Sequence, residues 1–288
     1  MIIVRLKGGL GNQMFQYAFY KSLKEKYSNV KIDVNFYNSN KVHNGYELSR
    51  IFNVTPEFAE IKEINKLAFI GSDIKSKIMR KIIGNKKTYY LERERELSYK
   101  PEVYLKEKSY FDGYWQNEKY FKNIEDSIRK DFTFKIKLDS QNLNILNDIK
   151  SSESVSLHIR RGDYINDSNA NRIYGGICEI EYYQKALAMI AEKIINAKFF
   201  IFSNEIEWVK KNLKIKNGVY VNLNQGDDSY KDMQLMSNCK HNIIANSTFS
   251  WWAAWLNSYG NKIVIGPRVW FNDYDHINNI MPKEWIGL

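Results

Sequence analysis

Residues 154–164 read SVSLHIRRGDY. The run from Ser154 to Arg160 is apolar and β-branched enough for a strand, and the charged tail with Gly162 marks where it stops. Similar short runs recur downstream at 198–204 (KFFIFSN), 218–223, 241–246 (HNIIAN) and 262–266 (KIVIG). Helical patterns separate them. In 179–195, Tyr183, Leu187, Ile190 and Ile194 share one face. A polar helix starts at Glu205, and 228–239 and 248–259 are helical too. This alternation implies a parallel sheet with helices on both faces. Ligands of such sheets bind beyond the carboxyl ends of the strands, where the two arginines fall.

Towards the N-terminus the pattern repeats and then weakens. Residues 2–6 read as a strand, 12–27 as a helix and 30–34 as a second strand. Residues 56–87 are mainly helical and lysine-rich, and 88–120 are rich in tyrosine and charge with few clear elements. The polar stretch 140–153 is the natural boundary, giving domains 1–150 and 151–288. A chain of 288 residues with 44% apolar and 26% charged residues is an ordinary folded protein, not a fibre or a disordered tail. No apolar run reaches the length of a membrane span. Arg5 and Lys7 interrupt any signal-peptide core. Cys178 and Cys239 are too few for a disulfide framework or a cysteine-based zinc site. The expected compartment is the cytoplasm.

The net charge of +10 is unevenly spread. Residues 1–150 hold 28 basic and 19 acidic residues, a net of +9, and residues 151–288 hold 15 and 14. A basic half suits nucleic acid, an anionic membrane surface or an acidic ligand, or is simply a solvated lysine face. No helix-turn-helix, zinc-finger or RNA-module signature is present, so no nucleic-acid partner is expected. Residues 74–87 (IKSKIMRKIIGNKK) place Ile74, Ile78 and Ile82 on one helix face among six cations. That pattern fits a helix lying on an anionic bilayer, or one packed on its own domain with solvated lysines.

Three segments carry groups suited to chemistry. Gly8-Gly9-Leu10-Gly11-Asn12-Gln13 follows the first strand and opens the first helix. Its glycines allow a tight turn, and the helix N-terminus offers N–H groups to an anion; Gly11, Asn12 and Gln13 are its candidate substrate contacts. Otherwise it is a turn that lets the helix pack. In the second segment His158 and Arg160 point to the same side of the strand. A guanidinium there can grip a phosphate through two hydrogen bonds; the plainer alternative is an Arg161–Asp163 pair. The third, Asn246-Ser247-Thr248-Phe249-Ser250-Trp251-Trp252, offers Ser247 or Thr248 as an N-cap and hence another anion site, while Trp251, Trp252 and Trp255 read as helix core. Asp232 either reads a nucleotide base or is a solvated helix residue. Asp273-Tyr274-Asp275 matches a metal-binding Asp-x-Asp pattern only weakly, and His43, His241 and His276 show no ligand spacing.

Together, GGLGNQMFQYA at 8–18, HIRRGDY at 158–164 and NSTFSWWAAWL at 246–256 resemble the three most recognisable blocks of the bacterial α-1,2-fucosyltransferases, glycosyltransferase family 11. The blocks stand in the expected order and span almost the whole chain; residues 56–150 match none. The resemblance implies a GT-B architecture, two Rossmann-like α/β domains facing across a cleft. Residues 1–150 would be the acceptor-side domain with a helical insertion, and 151–288 the GDP-fucose-binding domain. The implied reaction moves L-fucose from GDP-β-L-fucose to the 2-hydroxyl of a galactose with inversion, using no metal and no cofactor beyond the donor substrate. The implied acceptor is a galactose-terminated glycan of O-antigen, capsule or lactose-like type, free or lipid-linked. By analogy with the wider group sharing the His-x-Arg block, Arg160 holds the diphosphate, and His158 and Asp232 lie near the nucleoside. Ser247, Thr248 and Phe249 meet the β-phosphate, and Asn12 approaches the phosphate or fucose. Asp163 is the first candidate for the base and His158 the second, unless a departing phosphate oxygen takes the proton. The competing readings are a transferase forming a different fucosyl linkage and a non-catalytic sugar-nucleotide-binding protein.

Overall fold

The computed structural model divides into two units, Met1–Lys135 and Ile136–Leu288. It describes the chain apart from residues 40–43, 71–73, 94–96 and 273–279, and apart from the side chains of residues 39, 74–77, 83, 163 and 166. In the first unit β1 (Ile2–Arg5), β2 (Val30–Asp33), β3 (Tyr89–Leu91) and β4 (Ser109–Asp112) form a parallel sheet in the order β2-β1-β4-β3. The helix Leu10–Lys24 joins β1 to β2 and buries Met14, Phe15, Ala18, Phe19 and Leu23. Phe19 lies edge-on to Phe111 and stacks on Trp115 at 4.2 Å. On another side, Ile3 and Tyr110 pack with Ile64, Leu67 and Ala68.

The stretch 88–120, in which few elements were expected, supplies half of this sheet. β4 is four residues long and buried throughout, too short and too polar at its ends (SYFD) to show a strand period. Its pairing with β1 makes a switch point. The chain leaves β1 for β2 on one side and returns through β3 to β4 on the other, the topology whose ligands bind beyond the strand ends, here past Arg5 and Asp112.

The second unit holds β5 (Ser154–Ile159), β6 (Lys198–Ser203), β7 (Gly218–Val221), β8 (His241–Ile243), β9 (Val264–Gly266) and β10 (Ile286–Gly287). All pairs are parallel, in the order β10-β9-β8-β5-β6-β7. Counted from β7, the strands run third, second, first, fourth, fifth and sixth in chain order, the doubly wound order of a Rossmann-like domain. One face of β5 (Val155, Leu157, Ile159) packs on Tyr183, Ala186 and Ile190 of the helix Ile180–Lys193, with Leu187 and Ile194 partly buried beside them. The expected α/β architecture is therefore present in each unit.

The division falls after Lys135, earlier than the 150/151 boundary read from the sequence. The helix Ser140–Lys150 belongs to the second unit because its polar groups are bonded there. Asn142 and Asn224 exchange amide hydrogen bonds at 3.0 and 2.9 Å, Lys231 reaches Asp139 at 2.9 Å, and Lys198 reaches Asp148 at 2.6 Å. Among the described residues no helix is long and apolar enough to cross a membrane.

Candidate functional site

The switch point of the second unit lies between β5 and β8, and the second and third motifs both leave their strands there. On β5 the pleat sends Leu157 and Ile159 into the core and His158 to the other face. His158 is buried, its ring centroid 5.9 Å from that of Phe249, and its Nδ1 has no hydrogen-bond partner among the described residues. Burial and the charge of Arg160 push its pKa down to about 3. The ring is therefore neutral at physiological pH and a weak proton acceptor.

The tandem arginines do different work. Arg161 donates from Nε to Glu205 at 3.2 Å, and its guanidinium carbon lies 3.4 Å from the centroid of the Trp208 ring. Its backbone N–H is held by Asn204 Oδ1 at 3.1 Å. A Cβ at Gly162 would fall 2.1 Å from the Asn204 amide nitrogen, so a side chain there would displace the amide that holds the Arg161 N–H. Arg161 thus braces the loop through Glu205 and Trp208. Arg160 projects the other way, over the Tyr164 ring at 5.7 Å. Tyr164 in turn stacks on Tyr174 at 4.6 Å and donates its hydroxyl to the Asn246 carbonyl at 3.1 Å. This phenol ties the second motif to the third. Asp163 falls in the short helix Gly162–Asn166, but its side chain lies outside the described residues.

In the third motif Asn246 is buried and donates to the carbonyls of Tyr174 and Trp270 at 3.2 and 3.4 Å. Ser247 occupies the N-cap of the helix Thr248–Leu256, as expected, yet its hydroxyl makes no capping bond. The Ser247 side chain thus takes none of the first-turn N–H groups, which suits a helix start that binds an anion. Trp251, Trp252 and Trp255 are core, the first bonding the Ile280 carbonyl at 2.8 Å. Asp232, in the helix Tyr230–Ser237, accepts from Asn224 at 2.7 Å. Burial outweighs that bond and raises its pKa to about 7. His241 is structural, accepting the Ile263 N–H at 3.0 Å. Asp273, Asp275, His43 and His276 lie outside the described residues.

The glycine turn of the first unit stands at the β1/β4 switch point. Gly8 has φ +80° and passes close to Asn12, with room for no Cβ. Gly9 is the N-cap of the helix, without a side chain to fill it, and Gly11 is buried in its first turn. Gln13 is fully buried. It donates to the carbonyls of Gly8 and Gly45 and accepts from Glu47 N–H, so it braces the turn. Asn12 is half-buried and its Oδ1 accepts from Gln116 Nε2 at 2.8 Å.

Gln116 arrives on an unusual loop. Trp115 has φ +56° and is buried, a conformation bulky residues avoid, costing about 1–3 kcal/mol. The buried Glu92 carboxylate holds it there by accepting the N–H groups of Tyr114 and Trp115 at 2.5 and 3.1 Å. Gln16 bonds the Gly113 carbonyl and the Lys7 N–H. Arg5 and Lys7 both clamp Asp112 at 2.7 Å. Burial opposes the charge of Asp112, but the Lys7 and Arg5 cations keep its pKa below the ordinary carboxylate value.

A family model described as glycosyl transferase family 11 matches residues 1–288. The chain belongs to glycosyl transferase family 11. It is 36% identical over 299 residues to an α-1,2-colitosyltransferase of Escherichia coli, covering 100% of this chain and 99% of that relative. It is 30% identical to the O-antigen biosynthesis glycosyltransferase WbnK of Escherichia coli, covering 98% and 99%. Human galactoside α-(1,2)-fucosyltransferase 1 is 25% identical over 59% of this chain and 49% of its own length. Among solved structures, the α-1,6-fucosyltransferase NodZ soaked with GDP-fucose aligns over 88% of this chain and 91% of its own, at 15% identity and a TM-score of 0.47.

Against this family-11 frame, the structure brings His158, Arg160, Ser247, Thr248 and Phe249 to one switch point and Gly11, Asn12 and Gln13 to the other. Sequence reading passed over Tyr164, although it lies inside a quoted block. It also passed over Gln116, in the Gly-Tyr-Trp-Gln turn. Glu92 had no local signal, because its partners lie more than twenty residues away.

Proposed function

We propose that this family-11 protein transfers an L-fucose-type 6-deoxy sugar, with inversion, from its GDP-activated form to the 2-hydroxyl of a terminal β-galactoside. The observation that carries this reading is the β5/β8 switch point, where Arg160 lies over the Tyr164 ring, Tyr164 bonds the Asn246 carbonyl just before the helix Thr248–Leu256, and the Ser247 hydroxyl makes no capping bond. Cleavage of the sugar–phosphate bond places charge on the departing GDP. Arg160, the Ser247 and Thr248 hydroxyls and the helix N–H groups are preorganised donors for that charge. The sugar develops oxocarbenium character as the bond breaks, and the attacking hydroxyl loses its proton to a base. Asp163 is the assigned base; the low pKa of His158 makes it the lesser one. Asp232 takes the nucleobase edge, and Asn12 the donor phosphate or sugar. No resident metal or cofactor is assigned a part.

GDP-L-fucose is the first donor. The relative matched over the whole chain and named an α-1,2-colitosyltransferase supports colitose as a second sugar, which we place on the same GDP carrier. The acceptor is a galactose-terminated glycan of O-antigen, capsule or lactose-like type, and the compartment is the cytoplasm. The test is incubation with each donor and a panel of β-galactosides, reading the linkage by NMR. An α-1,2-linked product from either donor supports the proposal, and the ratio of kcat/KM values names the donor. Donor hydrolysis without transfer, or a different linkage, overturns it.

A further inference from the structure

The helix Ile74–Ile83 turns isoleucines outward. Ile78 is 49% exposed and Ile82 74% exposed, and residues four apart share a helix face. The neighbouring positions Met79 and Arg80 are half-buried. Arg80 donates to the Phe69 carbonyl, which sets the inner side of the helix against its own unit. Lys81 is exposed beside the isoleucines. From Ile74 to Lys87 the sequence carries six cations and no carboxylate, within the half of the chain that holds nearly all of the surplus positive charge. Internal packing of the apolar stripe, one of the two readings open from sequence, thus does not account for Ile78 and Ile82.

We propose that this face is a docking surface for an anionic lipid bilayer. The two features point to the same occupant. Cations near an anionic leaflet are drawn to it within about a Debye length. Outward isoleucines then enter the boundary between headgroups and acyl chains, as amphipathic interfacial helices do. A nucleic-acid backbone would use the cations but gain nothing from Ile78 and Ile82. A protein partner would need the apolar face but no surplus of one charge sign. The inference stands apart from the transfer reaction, since it concerns a face at neither switch point.

The test is flotation of the full chain with phosphatidylglycerol-containing vesicles, set against phosphatidylcholine vesicles and against high salt. The variants are Ile78→Glu, Ile82→Glu and Lys81→Glu, with folding checked by circular dichroism. The expected result is binding to the anionic vesicles at low salt, weakened by salt and lost on neutral vesicles. Ile82→Glu should lower the bound fraction by about tenfold or more, because the exposed apolar area is removed and a repelling charge is added. Lys81→Glu should lower it less. Transfer to a water-soluble β-galactoside should stay unchanged in all three variants. Absence of flotation at low salt, equal binding to neutral vesicles, or unaltered binding by Ile82→Glu each overturns the proposal, whatever the transfer assay reads.

Discussion

Replacing Glu92 by alanine should damage activity more than stability, and the structure allows the sizes to be worked out. The Glu92 carboxylate accepts two backbone N–H groups, from Tyr114 and Trp115. Truncation strips both, and the Trp115 N–H is buried. Leaving buried donors unmet costs about 1–3 kcal/mol each, and the ionised acceptor puts these bonds at the stronger end. Against that, the loop is released from the positive φ of Trp115, worth about 1–3 kcal/mol. The net loss should be about 1–3 kcal/mol, a substantial part of a typical 5–15 kcal/mol. The release itself has the larger consequence. Once Trp115 relaxes, Gln116 no longer reaches Asn12 at 2.8 Å, and the asparagine loses its fixed orientation. A misplaced group in a positioning role costs on the order of 10²-fold in rate. Urea titration and steady-state kinetics separate the two effects. Gln116→Leu serves as the control that removes the Asn12 contact alone, with kcat/KM reduced and stability changed by less than about 1.5 kcal/mol. Normal kcat/KM in Glu92→Ala, alongside measurable destabilisation, would refute the reasoning, because the loop would then be structural only.

Three further outcomes are expected. Arg160→Ala should lower kcat/KM by about 10²–10³-fold with an unchanged circular dichroism spectrum, and Arg160→Lys should recover it only in part, since an ammonium lacks the planar fork; near-normal turnover in the alanine variant would remove Arg160 from the diphosphate site. Excess EDTA should leave transfer intact, and a complete loss restored by manganese would overturn the metal-free mechanism. The Asp232 pKa near 7 predicts that GDP affinity measured by calorimetry rises from pH 6 to pH 8 as the carboxylate forms, and that Asp232→Asn abolishes the rise. The same shift has a stability sign: the folded carboxyl holds a proton that the unfolded chain has already lost, so the unliganded protein weakens as pH climbs from about 4 to 7, and Asp232→Asn should raise its melting temperature at pH 8. A flat pH profile would disconnect Asp232 from the nucleotide.

Much of the second unit was legible because its strands are buried on both sides. SVSLHI and KFFIFS are near-continuous apolar or small-residue runs, and the helices between them repeat at helical period. The first unit was harder to read. β4 is four residues, SYFD, whose ends are a serine and a clamped aspartate; its strand character comes from pairing with β1, a contact more than a hundred residues away in sequence. The boundary was displaced for a similar reason. Residues 140–150 look like a polar linker until Asn224 and Lys231 are brought to them. At the switch points, local motifs marked the glycine turn, the arginine turn and the helix start. They could not locate the groups that hold them, since Glu92, Gln116 and Asn204 act through contacts distant in sequence.

The paired arginines show why such a motif needs both members. At the end of a strand, consecutive side chains leave on opposite sides. Arg161 spends its charge and its flat face on Glu205 and Trp208. A lysine could pair with Glu205 but could not lie flat on the indole. With Arg161 anchored and its N–H held by Asn204, the backbone at Gly162 is fixed, and so is the direction in which Arg160 departs. Tyr164 sets the other limit, its ring under Arg160 and its hydroxyl on the Asn246 carbonyl, directly before Ser247. The guanidinium and the helix start are therefore registered to each other by covalent neighbours and one phenol. If, as proposed, this site meets developing charge on a leaving diphosphate, it depends on that registration more than on the number of its cations, because donors already in place need no reorganisation when the bond breaks.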